Sequence, residues 1–151
     1  MDRTDRGFSL LEVLVATTLL TVAVSSLAQL LFIAARANAG ARTTTYAVVL
    51  AQDKMEQLRG ADITELAVSP PGVLDANTVG YVEYLDASGR SLGGASAVPT
   101  AGTVFIRRWS IDPVAGDDGN PDHTIVLQVM VTRALAHGGA RLVSVKTRKA
   151  E

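Results

Sequence analysis

The 151-residue chain has no cysteine. Disulfides and thiolate metal sites are therefore excluded, and the fold must rest on its own core and on assembly. Aromatic residues make up only 5% of the sequence, too few for a base-stacking platform. There is no excess of positive charge: the formal net charge is -1, which leaves no overall attraction for nucleic acid. No glycine-rich phosphate loop, nucleophile elbow or metalloprotease helix motif is present. Ser144 and His137 have nothing to orient them as a pair, so no enzyme activity is expected and no cofactor is called for. Proline is absent from the first 69 residues, and Gly40 is the only glycine between Phe8 and Arg59. Nothing in that stretch interrupts a helix.

What fills the stretch is apolar. Residues 13–35 contain no charged side chain. As a helix this run is ~35 Å long, enough for a hydrocarbon core of ~30 Å. Backbone polar groups must pair internally in lipid, so helix is the form expected. The small polar residues Thr17, Thr18, Thr21, Ser25 and Ser26, with Gln29, suit a membrane helix that packs against others. Beyond it, Ala47, Leu50, Ala51, Met55 and Leu58 recur at helical spacing and form an apolar stripe. Gln52, Asp53, Glu56 and Arg59 lie opposite, and Gly60 reads as a C′ stop. One continuous helix from about Ser9 to about Arg59 is expected.

The remainder reads as strands and loops. Residues 79–85 and 104–111 are β-rich and alternating. Residues 124–133 place Ile125, Leu127, Val129 and Val131 on one face. Residues 141–147 follow the hairpin signal Ala136-His137-Gly138-Gly139. Residues 69–77 and 88–102 read as loops. The expected fold class is α+β, with an antiparallel sheet of about four strands covering the helical stripe.

The segment Arg6-Gly7-Phe8-Ser9-Leu10-Leu11-Glu12-Val13-Leu14-Val15-Ala16 carries the most specific signal. It resembles the N-terminus of the type IV prepilin family. The resemblance implies a pilin-like fold and cleavage after Gly7 by a membrane prepilin peptidase. It also implies N-methylation of the new N-terminus at Phe8, and an assembly role for Glu12, the family's acidic position. Gly7 suits a peptidase substrate, because a residue without a side chain lets the backbone approach closely. A lone carboxylate at the edge of a membrane span is costly and needs a partner. No Lys or Arg stands between Arg6 and Arg36. In the family's model the acid pairs with the N-terminal ammonium of a neighbouring subunit; the alternative is that Glu12 snorkels to the interface.

The division implied is a leader at 1–7, a transmembrane and assembly helix at 8–35, and a globular domain at 36–151. A signal peptide cut at Ala37-Asn38-Ala39 is the rival reading. The apolar run is too long for it, and Asp2 and Asp5 neutralise Arg3 and Arg6.

Ala51-Gln52-Asp53-Lys54-Met55-Glu56-Gln57-Leu58-Arg59 looks like the close of the helix in PilV-type minor pilins and I-type pseudopilins of type II secretion. Arg107-Arg108-Trp109 before the strand at 124–132 is similar to their C-terminal pattern. Major pilins often carry a proline in the membrane helix where this chain has Gln29, which argues for a minor subunit. The resemblance implies a single-pass inner-membrane protein with its globular domain outside the cytoplasm, later moving into a pilus or pseudopilus. The partners implied are the peptidase, other major and minor pilins or pseudopilins, and an inner-membrane assembly platform. A type II secretion pseudopilin is the alternative, and a membrane-stalked adhesin or DNA-uptake module is the alternative of another class.

Two further features are weighed. Asp118, Asn120 and Asp122 alternate as in a calcium loop. His123 replaces the turn glycine, Pro121 stiffens the loop and Val129 stands where the closing Glu belongs, so a solvated turn is expected. Arg107 and Arg108 fall on opposite faces of a strand, and Lys146, Arg148 and Lys149 form a short basic tail. Both are expected as ordinary strand surface and solvated tail, with no nucleic-acid role.

Overall fold

The structure is a computed structural model and describes residues 9–114, 124–135 and 138–147. The chain divides into two compact units, Met1–Gly40 and Ala41–Glu151. Helix α1, Leu10–Gly60, begins in the first and ends in the second. Its 51 residues correspond to about 77 Å of axial rise.

In the second unit the C-terminal part of α1 packs on a five-stranded antiparallel sheet, giving a pilin-like α+β architecture. The strands are β1 (Val82–Leu85), β2 (Ser91–Gly93), β3 (Phe105–Pro113), β4 (Thr124–Arg133) and β5 (Gly139–Thr147), in the order β2-β1-β3-β4-β5. The whole stripe Ala47, Leu50, Ala51, Met55 and Leu58 is buried. It meets Leu85, Phe105, Ile111 and the expected face of β4, where Ile125, Leu127, Val129 and Val131 are all buried.

Two periodicities match where α1 meets β3. Tyr46, Leu50 and Lys54 are four residues apart, about 6 Å of helix rise per step. Phe105, Arg107 and Trp109 are two apart, about 6.8 Å of antiparallel strand per step. Each helix residue consequently meets one strand residue. The Tyr46 and Phe105 rings lie 5.5 Å apart. Arg107 Nη1 donates to the Leu50 carbonyl at 2.9 Å. Lys54 Nζ stands 4.0 Å from the centre of the Trp109 ring. The opposite face of the sheet has its own small cluster, Val82, Tyr84 and Ile106. The Tyr84 hydroxyl donates to the Ser96 carbonyl at 2.9 Å, tying the following loop to that face.

Four expectations need correction. The sheet has five strands rather than about four, because β2 forms inside the segment read as a loop. All three of its residues are exposed at the sheet edge, so it shows no apolar alternation. The strand expected from residue 79 starts at Val82. Gly80 has φ +88° and the Tyr81 amide closes a turn on the Thr78 carbonyl, which stops the strand there. Gly60 is the last helical residue rather than a C′ stop. The Ala61 amide still bonds to the Gln57 carbonyl, and Asp62 then caps the short 3-10 turn Ile63–Glu65 through the Thr64 amide. Arg107 and Lys146, expected on the surface and in a solvated tail, both hold α1 to the sheet.

One glycine is dictated by packing as well as by its backbone. Gly89, with φ +78°, lies in the β1–β2 connection. A Cβ there would stand 2.8 Å from Leu50 Cδ2 and 2.9 Å from Tyr46 Oη. The Asp86 carboxylate organises the same turn, accepting from the Ser88 and Arg90 amides at 2.8 and 2.9 Å.

Candidate functional site

The first candidate region is the N-terminal helix segment. Gly7 and Phe8 lie outside the described residues. Glu12 lies in the first turn of α1 and is exposed. Ser9 and Glu12 have capping-box spacing, yet the Glu12 amide bonds at 3.0 Å to the Ser9 backbone carbonyl. Among the described residues the Glu12 carboxylate has no hydrogen-bond or ion-pair partner. A negative charge in a first turn is favoured by the helix dipole.

The apolar segment behind Glu12 is unlike the buried helix of a globular core. Its residues are exposed on every side: Leu14, Leu20, Leu27 and Leu31 retain 59–65% exposure. The helix is long and apolar enough to cross a membrane, and its most apolar window is 0% buried. Its hydroxyls are satisfied by the helix itself. Thr17 donates to the Val13 carbonyl at 2.9 Å, Thr18 to Val15 at 2.8 Å and Thr21 to Thr17 at 2.7 Å. Ser25 and Ser26 donate to Thr21 and Val22, each at 2.8 Å. This back-bonding removes the desolvation cost of placing these hydroxyls in lipid.

The second region is the polar seam that holds α1 to the sheet. The Arg107 side chain is only 6% exposed. Its Nη1 also donates to Asp53 Oδ2 at 3.0 Å, while Nε and Nη2 grip Glu83 Oε2 at 3.1 and 2.6 Å. Burial raises the pKa of Glu83, but hydrogen bonds with Ser91 and Arg107 outweigh it and leave the carboxyl below its ordinary value. Burial pushes the Lys54 ammonium below its ordinary value, against the upward pull of Glu83. At the end of α1, Lys146 Nζ donates to the carbonyls of Leu58, Arg59 and Ala61, with the Arg59 contact at 2.9 Å. Arg59 in turn donates through Nε and Nη2 to Ser144 Oγ at 3.0 and 2.8 Å. The C-terminal carbonyls of the helix, which lack intrahelical partners, are thus met by a cation from β5.

Sequence reasoning missed Arg107 and Lys146 because their partners are remote in sequence. The only local hint was that Arg107 lies between Phe105 and Trp109 on the inward phase of an apolar strand. Arg108 takes the opposite face as expected, where it bonds Asn77 Oδ1 at 2.7 Å. The seam provides cohesion. Among the described residues no group of His, Asp and Glu could hold a metal ion. The loop with Asp118, Asn120 and Asp122 lies outside them, as do His123 and His137. Ser144 is engaged by Arg59.

A family model described as the prokaryotic N-terminal methylation motif matches residues 2–28. Comparisons with curated proteins and with solved structures give no match. The matched segment contains Gly7, Phe8 and Glu12 and runs into the exposed apolar helix, supporting a membrane-anchored protein and pointing to a structural subunit rather than an enzyme. With this motif extending into one long helix that is followed by an antiparallel sheet, the chain is type IV prepilin-like.

Proposed function

We propose that the chain is a minor pilin, a structural and assembly subunit of a type IV pilus. It is made with the leader 1–7, cut after Gly7 by the prepilin peptidase and N-methylated at Phe8. The helix at 8–35 anchors it in the inner membrane, with the domain at 36–151 outside the cytoplasm. In the filament the same helix packs against those of other pilins. Glu12 pairs with the N-terminal ammonium of a neighbouring subunit and fixes the register between helices.

The observation that carries this reading is the join at residues 2–28. A methylation motif leads directly into a helix that is apolar on every side and closes its own hydroxyls. The Glu12 carboxylate, which has no partner among the described residues, supports the pairing role, since a carboxylate at a membrane edge is costly without one. The minor-subunit reading is supported by Gln29 in place of a proline and by the 51–59 segment that closes the helix.

N-terminal sequencing and mass spectrometry of the membrane-bound protein test the proposal. An N-methylated Phe8 in cells with the peptidase, and Met1 in cells without it, is the expected result. A mature N-terminus at Gly40 would identify a secreted protein instead.

A further inference from the structure

The polar side chains within the apolar run divide into two kinds. Thr17, Thr18, Thr21, Ser25 and Ser26 each donate to a carbonyl of their own helix. Gln29 does not: among the described residues its carboxamide has no hydrogen-bond partner. A carboxamide left unpaired in hydrocarbon is costly, because both its donors and its acceptor lose water.

Gln29 is poorly placed to reach water. It lies seven residues before Arg36, about 10 Å along the axis, and seventeen after Glu12, about 26 Å. Helical side chains lean toward the N-terminus, so Gln29 leans away from the nearer end of the span and deeper into it. The residues three and four positions before it are Ser26 and Ser25. Small residues there let a second helix come close.

We infer that Gln29 is a membrane contact between two copies of this chain, each carboxamide donating to and accepting from the other. A second copy fits in two respects. A carboxamide carries both donor and acceptor and is therefore its own complement. Copies inserted in the same direction also place Gln29 at the same depth. The inference rests on residues 8–35 spanning the membrane. It adds a contact within the bilayer, before or apart from the Glu12 pairing.

The test uses the full chain in vesicles of phosphatidylethanolamine and phosphatidylglycerol. The sequence has no cysteine, so Ala87→Cys, in the exposed β1–β2 connection, supplies one site for donor and acceptor dyes. Energy transfer is followed as protein is diluted with lipid, and an alkaline wash separately reports insertion. The parent should self-associate, and Gln29→Leu should weaken association by about threefold to thirtyfold. Thr18→Val, which removes a hydroxyl already bonded to Val15, should leave it unchanged. Absence of association in the parent, or equal association in Gln29→Leu, overturns the inference. Equal weakening by Thr18→Val does the same. Loss of the chain from washed vesicles would instead refute the membrane span itself.

Discussion

Arg107 Nη2 stands 2.6 Å from Glu83 Oε2, across the β1–β3 pair, while another nitrogen of the same guanidinium bonds the Leu50 carbonyl of α1. One buried cation thus joins a strand, its neighbour and the helix above them. Buried ion pairs are weak evidence for stability as such, but removing one partner strands the other.

Arg107→Met is accordingly expected to destabilise the domain by about 3–5 kcal/mol, by leaving Glu83 without its cation. Asp53, the other partner, has 61% of its side chain exposed. Asp53→Asn should cost under about 1 kcal/mol. Chemical denaturation followed by circular dichroism distinguishes the two; equal losses would mean that Glu83 does not depend on Arg107.

Acid should weaken the same seam. The carboxyl of Glu83 lies below its ordinary value in the folded protein, so the folded state binds the proton less readily than the unfolded chain. The stabilisation is complete above the unfolded value, roughly pH 4.3, and is lost as pH falls through the lower folded value. Asp86, held low first by the Ser88 hydroxyl, shifts in the same direction. Glu83→Gln should flatten the acid limb of the stability curve. A steepened limb would contradict the assignment.

Lys146→Met removes the cation at the end of α1 and should cost about 1 kcal/mol. Hydrogen exchange of the last helical turn gives a more local readout than the melting temperature. Protection there should fall, while β3 and β4 amides stay protected.

Gly7→Val should leave the precursor uncut in cells containing the prepilin peptidase. Glu12→Ala should be cut normally but be depleted from filaments. Sheared-filament and membrane fractions, probed with an antibody to the globular domain, measure both. A Glu12→Ala protein that enters filaments like the parent would remove the pairing role.

Much of the fold was legible because it is written in period. The stripe from Ala47 to Leu58 and the alternation from Ile125 to Val131 name the two faces of the main core, and those faces meet. The edge strand β2 has no such record, since Ser91, Leu92 and Gly93 are all exposed. Gly80 falls inside an alternating, β-rich stretch, and its positive φ, which marks a turn, has no signature in that alternation. At the candidate site, the methylation motif matched over residues 2–28 is a contiguous segment, so it is legible without any long-range contact. Arg107 and Lys146 could not, because their partners Asp53, Leu58 and Arg59 lie 54 or more positions away.

The hydroxyl bonds along the apolar helix bear on how such a subunit waits. A helix whose threonines and serines are already satisfied makes no polar demand on its neighbours through them. Those hydroxyls therefore do not drive the helix into chance contacts in lipid. Of the polar side chains from Glu12 to Gln29, the carboxylate and the carboxamide are the two with no hydrogen-bond partner among the described residues. Under the two pairings proposed above, groups about 26 Å apart along the helix are matched by depth, and a neighbour offset by a single turn would satisfy neither.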